Sequence, residues 1–188
     1  MKNKKALKGE HGYLGYQKKK VIIVTIIYYV ISLAVFALGY YSTHTKANLL
    51  TVVAVLGLLP ASKSTVSAIM YIRTPKYSED TFKTISSCVK SLPAVYDLYL
   101  TSYQKNYPIN CFVAKDSNLM GYTEFSDVDV SGCEEHIKGI LAQNSIKNVN
   151  LKIFTDKKKF MERINQLQDM ENSSKDLHLL ELMLDISL

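Results

Sequence analysis

Lys115, Asp116, Glu124, Asp127 and Asp129 fall within fifteen positions of one another. Taken by themselves, these acids read as residues that solvate a loop and a strand edge. The other reactive side chains are more dispersed. Cys133 and His136 lie three apart, with Glu134 and Glu135 between them. That spacing is read as solvated residues at a helix start rather than as a metal site. Cys111, in an apolar run, reads as a small core residue rather than a nucleophile. His11, His44, His136 and His178 occupy three different regions, and the chain has no phosphate-binding glycine loop. Cys88, Cys111 and Cys133 form no CxxC or zinc spacing, a pattern that fits reduced thiols in a cytosolic domain.

The elements that would carry these residues are dominated by one stretch. Val21 to Tyr41 is 21 consecutive residues without a charge, preceded by Lys18, Lys19 and Lys20. At ~1.5 Å per residue such a helix reaches ~30 Å, the thickness of a bilayer's hydrocarbon core. A short polar connection, 42–48, leads to a second apolar segment from Leu49 to about Ile72, interrupted by Pro60 and Lys63. Gly57, Ala61, Ser64 and Ala68 form a stripe of small residues along it, which lets two helices approach closely. Lys63 points away from that stripe and is expected to snorkel to the membrane interface, with Arg73 at the end of the span. Pro60 is expected to kink the helix. Three parts follow: a basic arm (1–20), a two-helix transmembrane hairpin (21–72) and a domain (73–188).

The net charge of +6 is unevenly placed. The arm holds seven lysines and one glutamate, whereas residues 73–188 hold fourteen basic and sixteen acidic side chains. A mildly acidic domain argues against nucleic acid as its partner, because phosphate binding wants a positive surface. The arm, with Lys18, Lys19 and Lys20 nearest the span, suits anionic lipid headgroups. The loop between the spans carries only Lys46 and His44, so the positive-inside rule places both termini and the domain in the cytoplasm.

In the domain, Ser78, Glu79 and Asp80 open a helix expected to run to about Ser91, and Pro93 ends it. Val95–Thr101 reads as a strand and 102–108 as a loop. Ile109–Lys115 and Leu119–Phe125 read as a hairpin around Asp116-Ser117-Asn118. Ser131 and Glu134 are spaced as a capping box opening a second helix. A strand over Val149–Phe154, a helix capped by Thr155 or Asp156, and a last helix from Ser173 or Ser174 complete it. On that last helix, Leu177, Leu180, Leu184 and Leu188 are expected to line an apolar face that Leu179, Met183 and Ile186 widen.

The α/β order αβββαβ, with VYDLYLT at 95–101, INCFVAKDSNLMGYTEF at 109–125 and LKIFTDKKKFMERINQL at 151–167, resembles the nuclease-related domain (NERD) of the PD-(D/E)xK, restriction-endonuclease-like fold. The resemblance spans roughly residues 78–168. It implies a divalent metal held by an aspartate and a glutamate, with a lysine for the attacking water. Those three positions fall here on Asn110, Thr123 and Phe125, none of which can do that work. A displaced site could use Asp116, Glu124 and Lys115 with Mg²⁺, although alternation of Leu119–Phe125 would set Glu124 on the face opposite Thr123 and Phe125. The expectation is therefore a membrane-anchored, catalytically silent nuclease-like domain, without cofactor. It would act as an interaction or regulatory module with a protein partner or a second copy of itself. The alternatives are an active metal-dependent nuclease with a displaced site, and a small subunit of a membrane protein complex.

Overall fold

The computed structural model of the chain describes residues 6–45, 48–90, 92–103, 105–168 and 174–188. Lys46, Ser91 and Ser173, invoked above, lie outside these. Two compact units emerge: Gly15–Thr74, and Met1–Leu14 together with Pro75–Leu188. The sequence suggests a boundary at Lys20, but the chain divides at Leu14, because residues 6–14 pack with the α/β domain.

The first unit is a helical hairpin. α1 (Tyr13–Thr43) starts eight residues before the apolar run, so Lys18, Lys19 and Lys20 lie within it. α2 (Leu49–Arg73) is capped by Asn48, whose side chain accepts from Thr51 N, and it contains Pro60. Both helices are long and apolar enough to cross a membrane. They run antiparallel. Lys18 Nζ donates to Ile72 O near one end (3.1 Å), and the hydroxyls of Thr25 and Ser64 meet at 2.7 Å further along. Small residues set this approach. Ala54, Ala61 and Ala68 are buried, and a Cβ on Gly57 would come within 2.8 Å of Ser32 Oγ. The series 54, 57, 61, 64, 68 advances by 3 and 4 in turn, the 3.5-residue period of two helices wound left-handedly. Lys63 and Arg73 are exposed.

The second unit is a four-stranded sheet between two pairs of helices. α3 (Glu79–Val89) begins at an N-cap on Ser78 and stops at Lys90, whose φ is +50°. β1 (Ala94–Thr101), β2 (Asn106–Lys115) and β3 (Asn118–Tyr122) form an antiparallel meander. α4 (Val130–Gln143) then leads to β4 (Asn150–Phe154), which pairs parallel with β3, and α5 (Lys157–Leu167) and α6 (Ser174–Asp185) follow. The sheet order is β1-β2-β3-β4, the single sheet the sequence leads one to expect. α4 and α6 cover one face through Cys133, Ile137, Leu141, Leu179, Leu180 and Met183. α3 and α5 cover the other through Ile85, Val89, Phe160, Ile164 and Leu167.

Several boundaries differ from the sequence reading. β2 starts at Asn106 rather than Ile109, with Pro108 inside it. β3 pairs only with residues 111–115 of β2, so at Pro108 no neighbour on that side needs the missing N–H. β3 ends at Tyr122, which leaves Thr123, Glu124 and Phe125 beyond the strand. Asp129, not Ser131, caps α4 by accepting from Gly132 N. Glu134 instead accepts from Ile153 N (2.9 Å) on the open side of β4, where a strand would otherwise present an unpaired donor. On α6 the buried apolar residues are Leu179, Leu180 and Met183, with Asp176 buried as well, and Leu184 and, just past the helix end, Ile186 pack partly against the same core. Of the expected face, Leu177 departs: it is 63% exposed, because the helix packs on the β1 and β2 side of the sheet.

This division of the apolar face is testable. In the full chain in detergent micelles, Met183→Ala is expected to lower domain stability by about 2–5 kcal/mol, and Leu177→Ala by no more than about 0.5 kcal/mol. Denaturation midpoints with the two effects exchanged would put Leu177, not Met183, in the core.

Candidate functional site

A regular strand alternates faces at every residue. β1 and β2 break that rule together. On β1, Val95, Leu98 and Leu100 share the α4/α6 face, while Ala94 and Tyr96 pack on the other. On β2, Tyr107, Ile109, Phe112 and Ala114 share the α4/α6 face, while Cys111 and Val113 pack on the other. Both changes of phase fall between the paired rungs Tyr96↔Cys111 and Leu98↔Ile109, where Asp97 and Asn110 sit. Asp97 has φ +53°, the left-handed region that an aspartate tolerates better than most residues. The register is unchanged on either side, so the sheet continues while two polar side chains leave the strict in-and-out pattern.

Asp97 and Asn110 are both buried, and each is satisfied. The Asn110 carboxamide oxygen accepts from Glu124 N (2.8 Å). The Asp97 carboxylate accepts from Gly12 N (2.6 Å), and Nδ1 of His11 lies 3.0 and 2.9 Å from its two oxygens. The His11 ring stacks on Phe82 of α3, centroids 4.1 Å apart and planes 7° from parallel, and Phe82 meets Tyr96 edge-on. On the other side of the ring, Nε2 is 3.8 Å from the exposed carboxylate of Glu79. Residues 6–12 are thus a strap laid against β1 and α3, rather than a free basic arm.

Burial pushes the Asp97 carboxyl above the usual carboxylate range. The Gly12 N–H and His11 partly offset this, and the negative charge of Glu124 adds to it. Tyr77 donates to Leu98 O (2.6 Å), and burial first, then the charges of Asp97 and Glu124, holds its phenol above the ordinary tyrosine range. The buried thiols move the same way. Burial raises Cys111, and Cys133 is pushed up to about 12, so neither is poised as a nucleophile.

The residues singled out from sequence are placed as follows. Thr123 is fully buried; its hydroxyl donates to Pro108 O (2.8 Å) and accepts from Phe125 N (3.3 Å). Phe125 packs edge-on against Tyr77. The Glu124 carboxylate accepts from Ser78 N (2.9 Å), which fixes the chain entering α3. Asn110, Thr123, Glu124 and Phe125 are therefore gathered at one end of the sheet. Asp116, exposed, and Lys115, buried, lie at the β2–β3 turn. The Lys115↔Asn118 rung is four rungs from Cys111↔Tyr122, roughly 13 Å at ~3.3 Å per residue. The displaced-site trio is not brought together. Among the described residues no group of three or more His, Cys, Asp or Glu side chains is arranged to hold a metal ion. Cys133 is buried, and His136 lies against the Tyr107 ring.

His11, Tyr77 and Asp97 were not marked as site residues in the sequence. The usable signal was Asp97 itself, an ionisable side chain inside the otherwise apolar run VYDLYLT. No protein-family model matches the chain, and no curated protein or solved structure matches it either.

The raised Asp97 carboxyl has a pH signature. Between the ordinary carboxylate range and the raised value, the folded protein binds more protons than the unfolded chain, so stability falls as pH rises through that window. Asp97→Asn keeps an oxygen for Gly12 N–H and removes the ionisation. The stability difference between wild type and Asp97→Asn should therefore change over that window and be level on either side. Asp97→Ala, which leaves the Gly12 donor without an acceptor, should lose about 1–3 kcal/mol. A flat difference in denaturation measurements from pH 4 upward would contradict the burial of Asp97.

Proposed function

We propose that this chain is a membrane-anchored α/β domain of degenerate nuclease-like type, acting without catalysis as an interaction or regulatory module at the cytoplasmic face of a membrane. One observation carries the reading. The three positions where the resemblance puts metal and proton chemistry are each engaged in holding the fold together. Asn110 holds Glu124 N, Thr123 bridges Pro108 and Phe125, and Phe125 packs on Tyr77. The nearest carboxylate, Glu124, holds the chain entering α3. An active nuclease would need such groups turned toward solvent and a metal. The fold expectation draws support from β4 joining β3 in the same sheet.

The membrane part of the reading rests on the two apolar helices and their flanks. The lysine-rich flank ahead of α1's apolar run and Arg73 at the end of α2 support, through the positive-inside rule, a cytoplasmic side for both ends of the hairpin. There Lys18, Lys19, Lys20 and Arg73 face anionic headgroups, and Lys63 reaches the interface along its own stem. The domain then meets its partner, another protein or a second copy, on that side.

Two experiments address this. Full-length protein in nanodiscs should show no Mg²⁺- or Mn²⁺-dependent cleavage of DNA or RNA, since loss of even one such group commonly removes ~10²–10⁴ in rate. Metal-dependent cleavage that disappears in Glu124→Gln, with the fold intact, would establish an active nuclease instead. For orientation, a cysteine in place of Thr43 should react with an impermeant maleimide added outside intact cells, and one in place of Tyr103 should not. The reverse labelling would invert the topology.

A further inference from the structure

Two pieces of chain outside any strand cover the free edge of β1. Tyr96 N donates to Gly9 O (2.8 Å). Further along, Leu188 N donates to Tyr99 O (3.0 Å), and Ser187 bridges to Leu100. Lys8 Nζ joins the two covers through Ser187 O (2.9 Å). Together they do the work of a fifth strand, closing an edge that would otherwise template pairing.

The covers are held differently. The C-terminal tail follows α6, which is anchored by buried Leu179, Leu180 and Met183. None of residues 6–12 is buried, and Leu7 is 67% exposed. What holds residues 7–12 is mostly polar: the Gly9 carbonyl on Tyr96, the Gly12 N–H and His11 on Asp97, and one ring stack on Phe82, with Gly9 beside Val95 and Leu184. The first buried side chain after them is Leu14, in the first turn of α1. A segment with few buried apolar contacts opens locally for a fraction of the global unfolding free energy. Gly9 and Gly12 both have positive φ, +91° and +86°, and so bracket the strap with backbone that other residues adopt poorly.

We propose that residues 7–12 are an exchangeable strap, and that the surface beneath it accepts the same segment of a second copy of this chain once its own has left. That surface has three requirements of an extended segment: a carbonyl for the Tyr96 N–H, two N–H donors for the Asp97 carboxylate, and a flat ring for Phe82. A second copy's strap meets all three by identity. A segment without the imidazole would leave a buried carboxylate short of a donor, which is costly. In the resting chain the tethered strap wins by effective concentration. Transfer sets the donor copy's His11 on the acceptor copy's Asp97, whose own strap has left. The proposal requires neither the nuclease-like reading nor a particular membrane orientation.

The test uses the full chain in detergent micelles, with two differently tagged variants. In Gly9→Val the new side chain grows where Leu184 Cδ2 is 2.9 Å from the Cβ position, at a φ that valine resists, so the strap is excluded and the surface is open. In Asp97→Ala the surface is impaired and the strap is free; Phe82→Ala is a second variant of this kind, should Asp97→Ala fold poorly. The expected result is that Gly9→Val co-purifies with Asp97→Ala or Phe82→Ala. Neither partner self-associates, wild-type chains do not associate, and an excess of the peptide Ala-Leu-Lys-Gly-Glu-His-Gly-Tyr-Leu (residues 6–14) abolishes the pairing. Hydrogen exchange at the Tyr96 amide should be about tenfold faster in Gly9→Val alone, as the loss of one hydrogen bond implies, and should slow again on mixing. The proposal is overturned by an open Tyr96 amide without co-purification, by a Tyr96 amide that stays protected in Gly9→Val, or by association that needs no mixing.

Discussion

The break in pairing between the rungs Tyr96↔Cys111 and Leu98↔Ile109, where Asp97 and Asn110 sit, is the constraint on which the domain depends. Changing phase in one strand alone would turn half of its apolar side chains toward the wrong layer. Because β1 and β2 change phase together, Leu98, Leu100, Tyr107 and Ile109 stay on the α4/α6 face, beside Phe112 and Ala114. The two residues at the break are left as the polar centre of an apolar sheet, and each takes on a second task. Asn110 fixes the chain leaving β3 through Glu124 N, and Glu124 in turn fixes the start of α3. Asp97 fixes the N-terminal strap. Polar contacts thus tie the start of α3 through Glu124 to Asn110 in β2, and tie Asp97 in β1 to residues 11 and 12.

That arrangement bears on Asn110, Thr123 and Phe125, the positions on which the proposed reading turns. A metal site needs side chains held firmly yet aimed at an open space. Here the same positions are held firmly because they are aimed at backbone groups of the protein itself. Thr123 is the clearest case, with its hydroxyl both donating and accepting within the fold. Replacing such groups with acids would remove hydrogen bonds before it supplied any ligand.

Most of the element order was legible in the sequence, since period and punctuation survive without tertiary information. Ser78 and Asp156 cap their helices as expected, and Asp116 and Ser117, both at positive φ, make the two-residue hairpin turn. What was not legible has a common cause. In VYDLYLT and INCFVA nearly every residue is apolar, so alternation carries no signal and the shared break at Asp97 and Asn110 is invisible. The end of β3 depends on where β4 stops pairing, and the exposure of Leu177 at one edge of α6's broad apolar face depends on which strands lie beneath it. Glu134 fits a capping box by spacing, yet the open edge of β4 claims it. The strap was missed because lysine-rich composition suggested solvent and lipid, while the residues that dock are the glycines and the single histidine among them.

The strap also imposes an order on biosynthesis. His11 and Asp97 are 86 residues apart, and both long apolar helices lie between them. Residues 7–12 leave the ribosome first and find their place only after α1, α2 and β1 have all been made. Closing so long a loop carries an entropic penalty that grows only logarithmically with its length, so the delay is kinetic more than energetic. Until then the segment remains accessible to proteases and modifying enzymes. Its docking therefore reports, for each newly made chain, that the hairpin and the first strand of the sheet have been made.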